Sequence, residues 1–124
     1  MSGARPTVAL LVTVIVAIAA GCVEDSTCAS LARRIEVTVS ADGLAPADPA
    51  TCRGEEVSLV VTAEVDGVLH IHGYDAEVPA TEVTAGEVTE LEFTASRSGQ
   101  FPIELHTDQN ATGVGIGIFT VHEP

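Results

Sequence analysis

The chain has no lysine and no tryptophan, and its only methionine is Met1. Five arginines face eighteen acidic residues, so the net charge is −13. Such a surface repels nucleic acid and anionic lipid headgroups and draws cations. Aromatics are scarce: Tyr74, Phe93, Phe101 and Phe119 are all there are. The core must therefore be built mainly from Val, Ile and Leu. No stretch beyond the N-terminal region keeps a helical period, which excludes bundles and coiled coils. No Gly-x-Ser-x-Gly elbow, phosphate loop or dinucleotide fingerprint is present, and nothing else marks substrate handling, so the chain reads as a non-enzyme.

What is present begins with histidine. His70 and His72 lie in Val68-Leu-His-Ile-His72, and His106 lies in Phe101-Pro-Ile-Glu-Leu-His106. Both segments read as strands. Strand side chains alternate between faces, so His70 and His72 share one face at a backbone spacing of roughly 6.5–7 Å. Leu69, Ile71, Phe101, Ile103 and Leu105 take the apolar parity, while Pro102, Glu104 and His106 take the other. The histidines thus oppose the core face, as side chains do when they serve a site. His70, His72 and His106 are the candidate metal ligands, with Asp75 and Glu104 as oxygen ligands or as acceptors that hold an imidazole tautomer. They are expected to meet at one rim of the fold. Nitrogen ligation suits one copper or zinc ion, with copper favoured on intrinsic affinity. Affinity should fall in acid, because only neutral imidazole binds metal. The alternative is that these side chains only hydrogen-bond to Asp75, Tyr74 and Glu104. His122, next to the C-terminal Glu123-Pro124, reads as solvated.

Residues 1–21 form a targeting segment, not part of the fold. Arg5 precedes the apolar run Val8–Ala20, which ends in Ala19-Ala20-Gly21-Cys22. This resembles a bacterial lipoprotein signal with its lipobox. The resemblance implies cleavage before Cys22, a lipid on its sulfur and anchorage on the outer face of the cell membrane. Cleavage removes one arginine and no acid, leaving 103 residues at −14. That length suits one domain. Residues 22–32 read as a tether and 33–124 as the domain. Cys28 and Cys52 remain and are expected to pair in an oxidising compartment, a thiolate ligand role being the alternative.

From Arg34 onward turns punctuate short apolar runs: Arg34–Ser40, Glu56–Ala63, Val68–His72, Glu82–Val83, Val88–Thr94, Phe101–His106 and Val114–Val121. Leu44–Ala50 is interrupted by proline and can only be an edge strand or a loop. Thr107–Gly113 reads as a loop. The total is about seven or eight strands, an all-β sandwich or barrel.

The stretch Gly86-Glu-Val-Thr-Glu-Leu-Glu-Phe93, then Gly99-Gln-Phe101 and the last strand Gly117-Ile-Phe119-Thr-Val121, resembles the cupredoxin-like fold. His-x-His-Gly-Tyr-Asp with Glu-Leu-His is similar to cupredoxin-like domains of small exported bacterial proteins, including iron-uptake types. The resemblance covers about Ile35 to Val121 and implies a Greek-key β-sandwich. It also marks a departure. Counting from Gly99-Gln-Phe101 puts Leu105 where a blue-copper site needs cysteine, and Thr107–Gly115 holds no downstream His or Met. A type-1 site is therefore excluded. The expected function is a membrane-anchored domain that binds a divalent metal for acquisition, delivery or buffering. The alternative is a metal-free interaction module of the cell envelope.

Overall fold

The structure, a computed structural model, describes residues 2–3 and 28–124. Cys22, most of the signal segment and most of the tether lie outside the described residues. Nine strands and no helix are present among those described. They are β1 (Ala32–Ser40), β2 (Gly43–Ala45), β3 (Ala50–Cys52), β4 (Glu56–Ala63), β5 (Gly67–Ile71), β6 (Thr81–Val83), β7 (Val88–Thr94), β8 (Gly99–Thr107) and β9 (Asn110–His122). The count exceeds seven or eight because the proline segment holds two short strands, one on an edge of each sheet.

One sheet has the order β2-β1-β4-β7 and the other β3-β9-β8-β5-β6. β1 runs parallel to β4 and β3 parallel to β9; every other pairing is antiparallel. The chain crosses between sheets after β2, β3, β4, β6 and β7. Alternation decides what lies between the sheets. Val57, Leu59, Val61 and Ala63 of β4 meet Leu69 and Ile71 of β5 and Ile103 and Leu105 of β8 in one apolar core. Their neighbours of opposite parity face out.

The scarce aromatics are not scattered. Tyr74 is fully buried, with ring centroids 4.5 Å from Phe101, 5.6 Å from Phe119 and 6.1 Å from Phe93. Its hydroxyl lies 3.4 Å from both the backbone N and the O of Arg97. Tyr74 is therefore no hydrogen-bond partner of the histidines, which corrects that part of the alternative, whereas Asp75 does turn to His70.

A second correction concerns Thr107–Gly113. It is a tight hairpin and not a loop: Thr107 pairs with Asn110 and only Asp108 and Gln109 turn. Cys28 is bonded to Cys52, with Cα atoms 5.5 Å apart, so the thiolate alternative falls for both. The bond ties the segment before β1 to the end of β3. Beside it, Glu55 is buried and takes two hydrogen bonds from Arg33 at 2.7 and 3.0 Å, one from the Cys52 amide at 2.9 Å and one from the Thr51 hydroxyl.

Candidate metal centre

The register of β5 against β8 builds the site. His70 pairs with Glu104 and Val68 with His106. Cross-strand partners share a face, and diagonal neighbours are within reach of long side chains. The outer face of the five-stranded sheet therefore carries His70, Glu104 and His106 side by side, while Leu69, Ile71, Ile103 and Leu105 fill the other face. The histidines do not meet at a rim, as the sequence suggested. They meet in the open face of a sheet, because β5 and β8 are direct neighbours and their outward residues are in register.

One atom from each of His70, Glu104 and His106 falls within 4.8 Å of the other two. Glu104 Oε2 is the centre: it lies 3.5 Å from His70 Nδ1 and 3.5 Å from His106 Nε2. The far side of each ring is fixed. Asp75 Oδ1 lies 2.5 Å from His70 Nε2, and the hydrogen bond to His70 holds the Asp75 carboxyl below its ordinary range. An ionised carboxylate only accepts, so His70 Nε2 donates. His106 Nδ1 donates to the Ala111 carbonyl at 3.0 Å. In the neutral form of either ring, the nitrogen turned to Glu104 then carries a lone pair.

β9 makes room for this. Between the pairs Leu105–Val114 and Thr107–Asn110, β8 contributes His106 alone and β9 contributes residues 111–113. Such a bulge re-aims side chains. Here it brings the Ala111 carbonyl to His106 and lays the His106 ring over Gly113. Gly113 has φ of 87°, and a Cβ on it would stand 2.7 Å from His106 Cε1.

His72 stands just beyond β5, its amide donating to Pro102 at 2.8 Å. Its ring centroid is 5.6 Å from that of His70, and its Nδ1 is 3.8 Å from Glu104 Oε1, the other carboxylate oxygen. It stays outside the tight group. His122 is exposed at the opposite end of β9, paired with Cys52.

One contributor, Arg97, escaped the sequence, and the central place of another, Glu104, was not legible in it. Glu104 was read as an oxygen ligand or tautomer holder; the structure puts it at the centre, which depends on a register invisible in sequence. Arg97 fixes the segment that carries Asp75. It donates to Glu77 at 2.8 and 3.0 Å and to the Gly73 carbonyl at 2.6 Å, and its guanidinium stands 4.9 Å from the Tyr74 ring centroid. The Glu77 carboxyl is accordingly pulled down to about 2, first by Arg97 and then by Ser96.

No protein-family model matches the chain, and no curated protein matches it. Solved structures do. Blue copper oxidase from Nitrosomonas europaea superposes with a TM-score of 0.56 at 14% identity, over 74% of this chain and 39% of that one. Fet3p, a multicopper oxidase that functions in iron import, gives 0.57 at 16%, over 73% and 23%. Auracyanin B gives 0.54 at 18%, over 71% and 87%. The chain thus spans well under half of the two oxidases and most of auracyanin B. At these identities the likeness is one of fold. The position that the resemblance gives to a copper-binding cysteine is Leu105, which is buried in the core with its side chain on the face opposite the histidines. With two sheets, nine strands and these neighbours, the described chain is a cupredoxin-like β-sandwich.

Proposed function

We propose that this is an exported domain, held at the outer face of the cell membrane by a lipid on Cys22, that binds one divalent metal ion, copper before zinc, for acquisition, delivery or buffering. It is a binding protein and not an enzyme. His70 Nδ1, His106 Nε2 and Glu104 Oε2 are the ligands. Asp75 and the Ala111 carbonyl hold the two imidazoles in the tautomers that a metal needs.

One observation carries the reading. Three acceptors face each other, and neutral rings leave no proton between them. The gaps of 3.5 Å exceed the span of a charge-assisted hydrogen bond, about 2.7–2.9 Å. They match the edge of a tetrahedron with bonds of about 2.0–2.1 Å, roughly 3.4 Å. A cation resolves the conflict. Two imidazoles and a carboxylate suit Cu(II) and Zn(II), and the Irving–Williams order puts copper ahead. The anchoring at Cys22 rests on the lipobox alone.

Calorimetric titration of the folded domain with Cu(II) and with Zn(II) tests this. One ion should bind per chain, and His70→Ala, His106→Ala or Glu104→Gln should each weaken it by about 100-fold. Absent binding, or binding indifferent to all three substitutions, would leave a metal-free envelope module.

A further inference from the structure

Glu104 presents its two oxygens to different partners. Oε2 faces His70 and His106, while Oε1 faces His72 Nδ1 at 3.8 Å. Building on the metal reading above, we propose that His72 and Glu104 Oε1 form an entry subsite, where a hydrated divalent cation is first caught before it passes to His70, His106 and Glu104 Oε2.

Three features separate His72 from the other two histidines. It is the most exposed: its side chain is 65% accessible, against 21% for His70 and 29% for His106. Neither of its ring nitrogens has a hydrogen-bond partner among the described residues, whereas Asp75 and Ala111 lock the other two rings. It also sits past the last residue of β5 and just before Gly73, whose φ of 80° starts the turn. The ring is therefore free to rotate where its neighbours are not. A hydrated ion arriving from solvent meets this donor first.

The carboxylate supplies continuity. An ion held by His72 and Oε1 can lose water one molecule at a time, because Glu104 keeps hold as the ion moves from one oxygen to the other. The locked imidazoles then replace His72. Release runs through the same steps in reverse. A donor used only along this path lowers the barrier in both directions and leaves the end states alone. A resident fourth ligand would instead stabilise the bound state and slow release.

That difference is measurable with zinc alone. Loading of the metal-free domain with Zn(II), and release from the loaded domain into excess fluorescent chelator, would be followed by rapid mixing for wild type, His72→Ala and His106→Ala. The entry role requires loading and release in His72→Ala to slow by a common factor of about ten. The dissociation constant should stay within about threefold and the stoichiometry at one ion. Faster release with weaker binding would make His72 a resident ligand and overturn the proposal, as would rates equal to wild type. His106→Ala separates the two levels. If wild type binds and His106→Ala does not, the centre stands whatever His72 does. If wild type takes up no zinc, the centre and its entry fall together.

Discussion

At the residue scale the decisive point is that Glu104, when both rings are neutral, is an acceptor among acceptors. A structural hydrogen-bond cluster needs a donor in each contact. The contacts of Asp75 and Ala111 use up the one N–H of each neutral ring on the side away from Glu104. The same logic makes Gly113 a sensitive position. Gly113→Ala would place a Cβ 2.7 Å from the His106 ring in a backbone conformation with φ of 87°. The ring must move off its Ala111 contact. We expect metal affinity to fall at least tenfold in calorimetry, with about 1 kcal/mol lost from unfolding stability. Wild-type affinity in this variant would mean that ring placement does not matter.

Glu55 is a second residue-scale case, away from the site. Hydrogen bonding from Arg33, and then from Thr51 and the Cys52 amide, outweighs burial and lowers its carboxyl from 4.5 to about 2. The folded state therefore favours the ionised form. Its contribution is complete above the unfolded value of 4.5 and drains away as pH falls from there toward 2. The shift corresponds to about 3 kcal/mol. Thermal melts should show Glu55→Gln less stable than wild type at pH 7, with the gap closing as the pH drops below 4.5. Glu77 is also lowered to about 2, so the variant keeps some acid sensitivity of its own. A gap that stays constant down to pH 2 would refute the assignment to Glu55.

At the scale of elements, β4 and β7 were fully legible, since Glu56–Ala63 and Val88–Thr94 coincide with the strands found. Period-two alternation with turn residues at both ends is enough there. The outward parity of His70, Glu104 and His106 was legible for the same reason. Which outward residues become neighbours was not. That follows from pairing β5 with β8, a long-range choice made by the shared core, and from a bulge in β9 that leaves no local mark beyond Gly113. The Thr107–Gly113 segment failed for a related reason. Its Asp, Asn and Gly suit a loop, yet Asn110 pairs with Thr107 and residues 111–113 run on into β9 as a bulge. The segment between β5 and β6 depends on Arg97, which bonds to Glu77 and Gly73 and covers Tyr74. Arg97→Met keeps much of the apolar stem and removes the donors. Hydrogen exchange should then quicken over residues 73–78 while the sheets stay protected. Zinc affinity should fall severalfold, since Asp75 loses its support. Unchanged exchange in 73–78 would show that Tyr74 burial alone holds the segment.

At the scale of the molecule, a sandwich of this size has a modest core. The Cys28–Cys52 bond joins residues 24 apart and closes the chain at the end opposite the β8–β9 turn. Paired Cys28→Ser and Cys52→Ser substitutions should lower unfolding stability by about 3 kcal/mol, read from denaturant midpoints, and leave the distant metal centre able to bind.

The charge acts on the whole molecule and on the rate of capture. A net charge of −13 with no lysine surrounds an open site with a field that attracts cations. The screening length shrinks from about 30 Å at 0.01 M salt to about 8 Å at 0.15 M. Most of the acidic surface is felt by an approaching ion in the first case, and only the groups around His70, Glu104 and His106 in the second. Once bound, the ion is held by short contacts that salt screens little. Loading should therefore slow by roughly tenfold between these two ionic strengths, set with a salt that does not coordinate zinc. Release into chelator should change far less. Weakening on that pattern would be kinetic in origin, through association. If loading were flat across the range, the acidic surface would contribute solubility only, and capture would depend on the local donors alone.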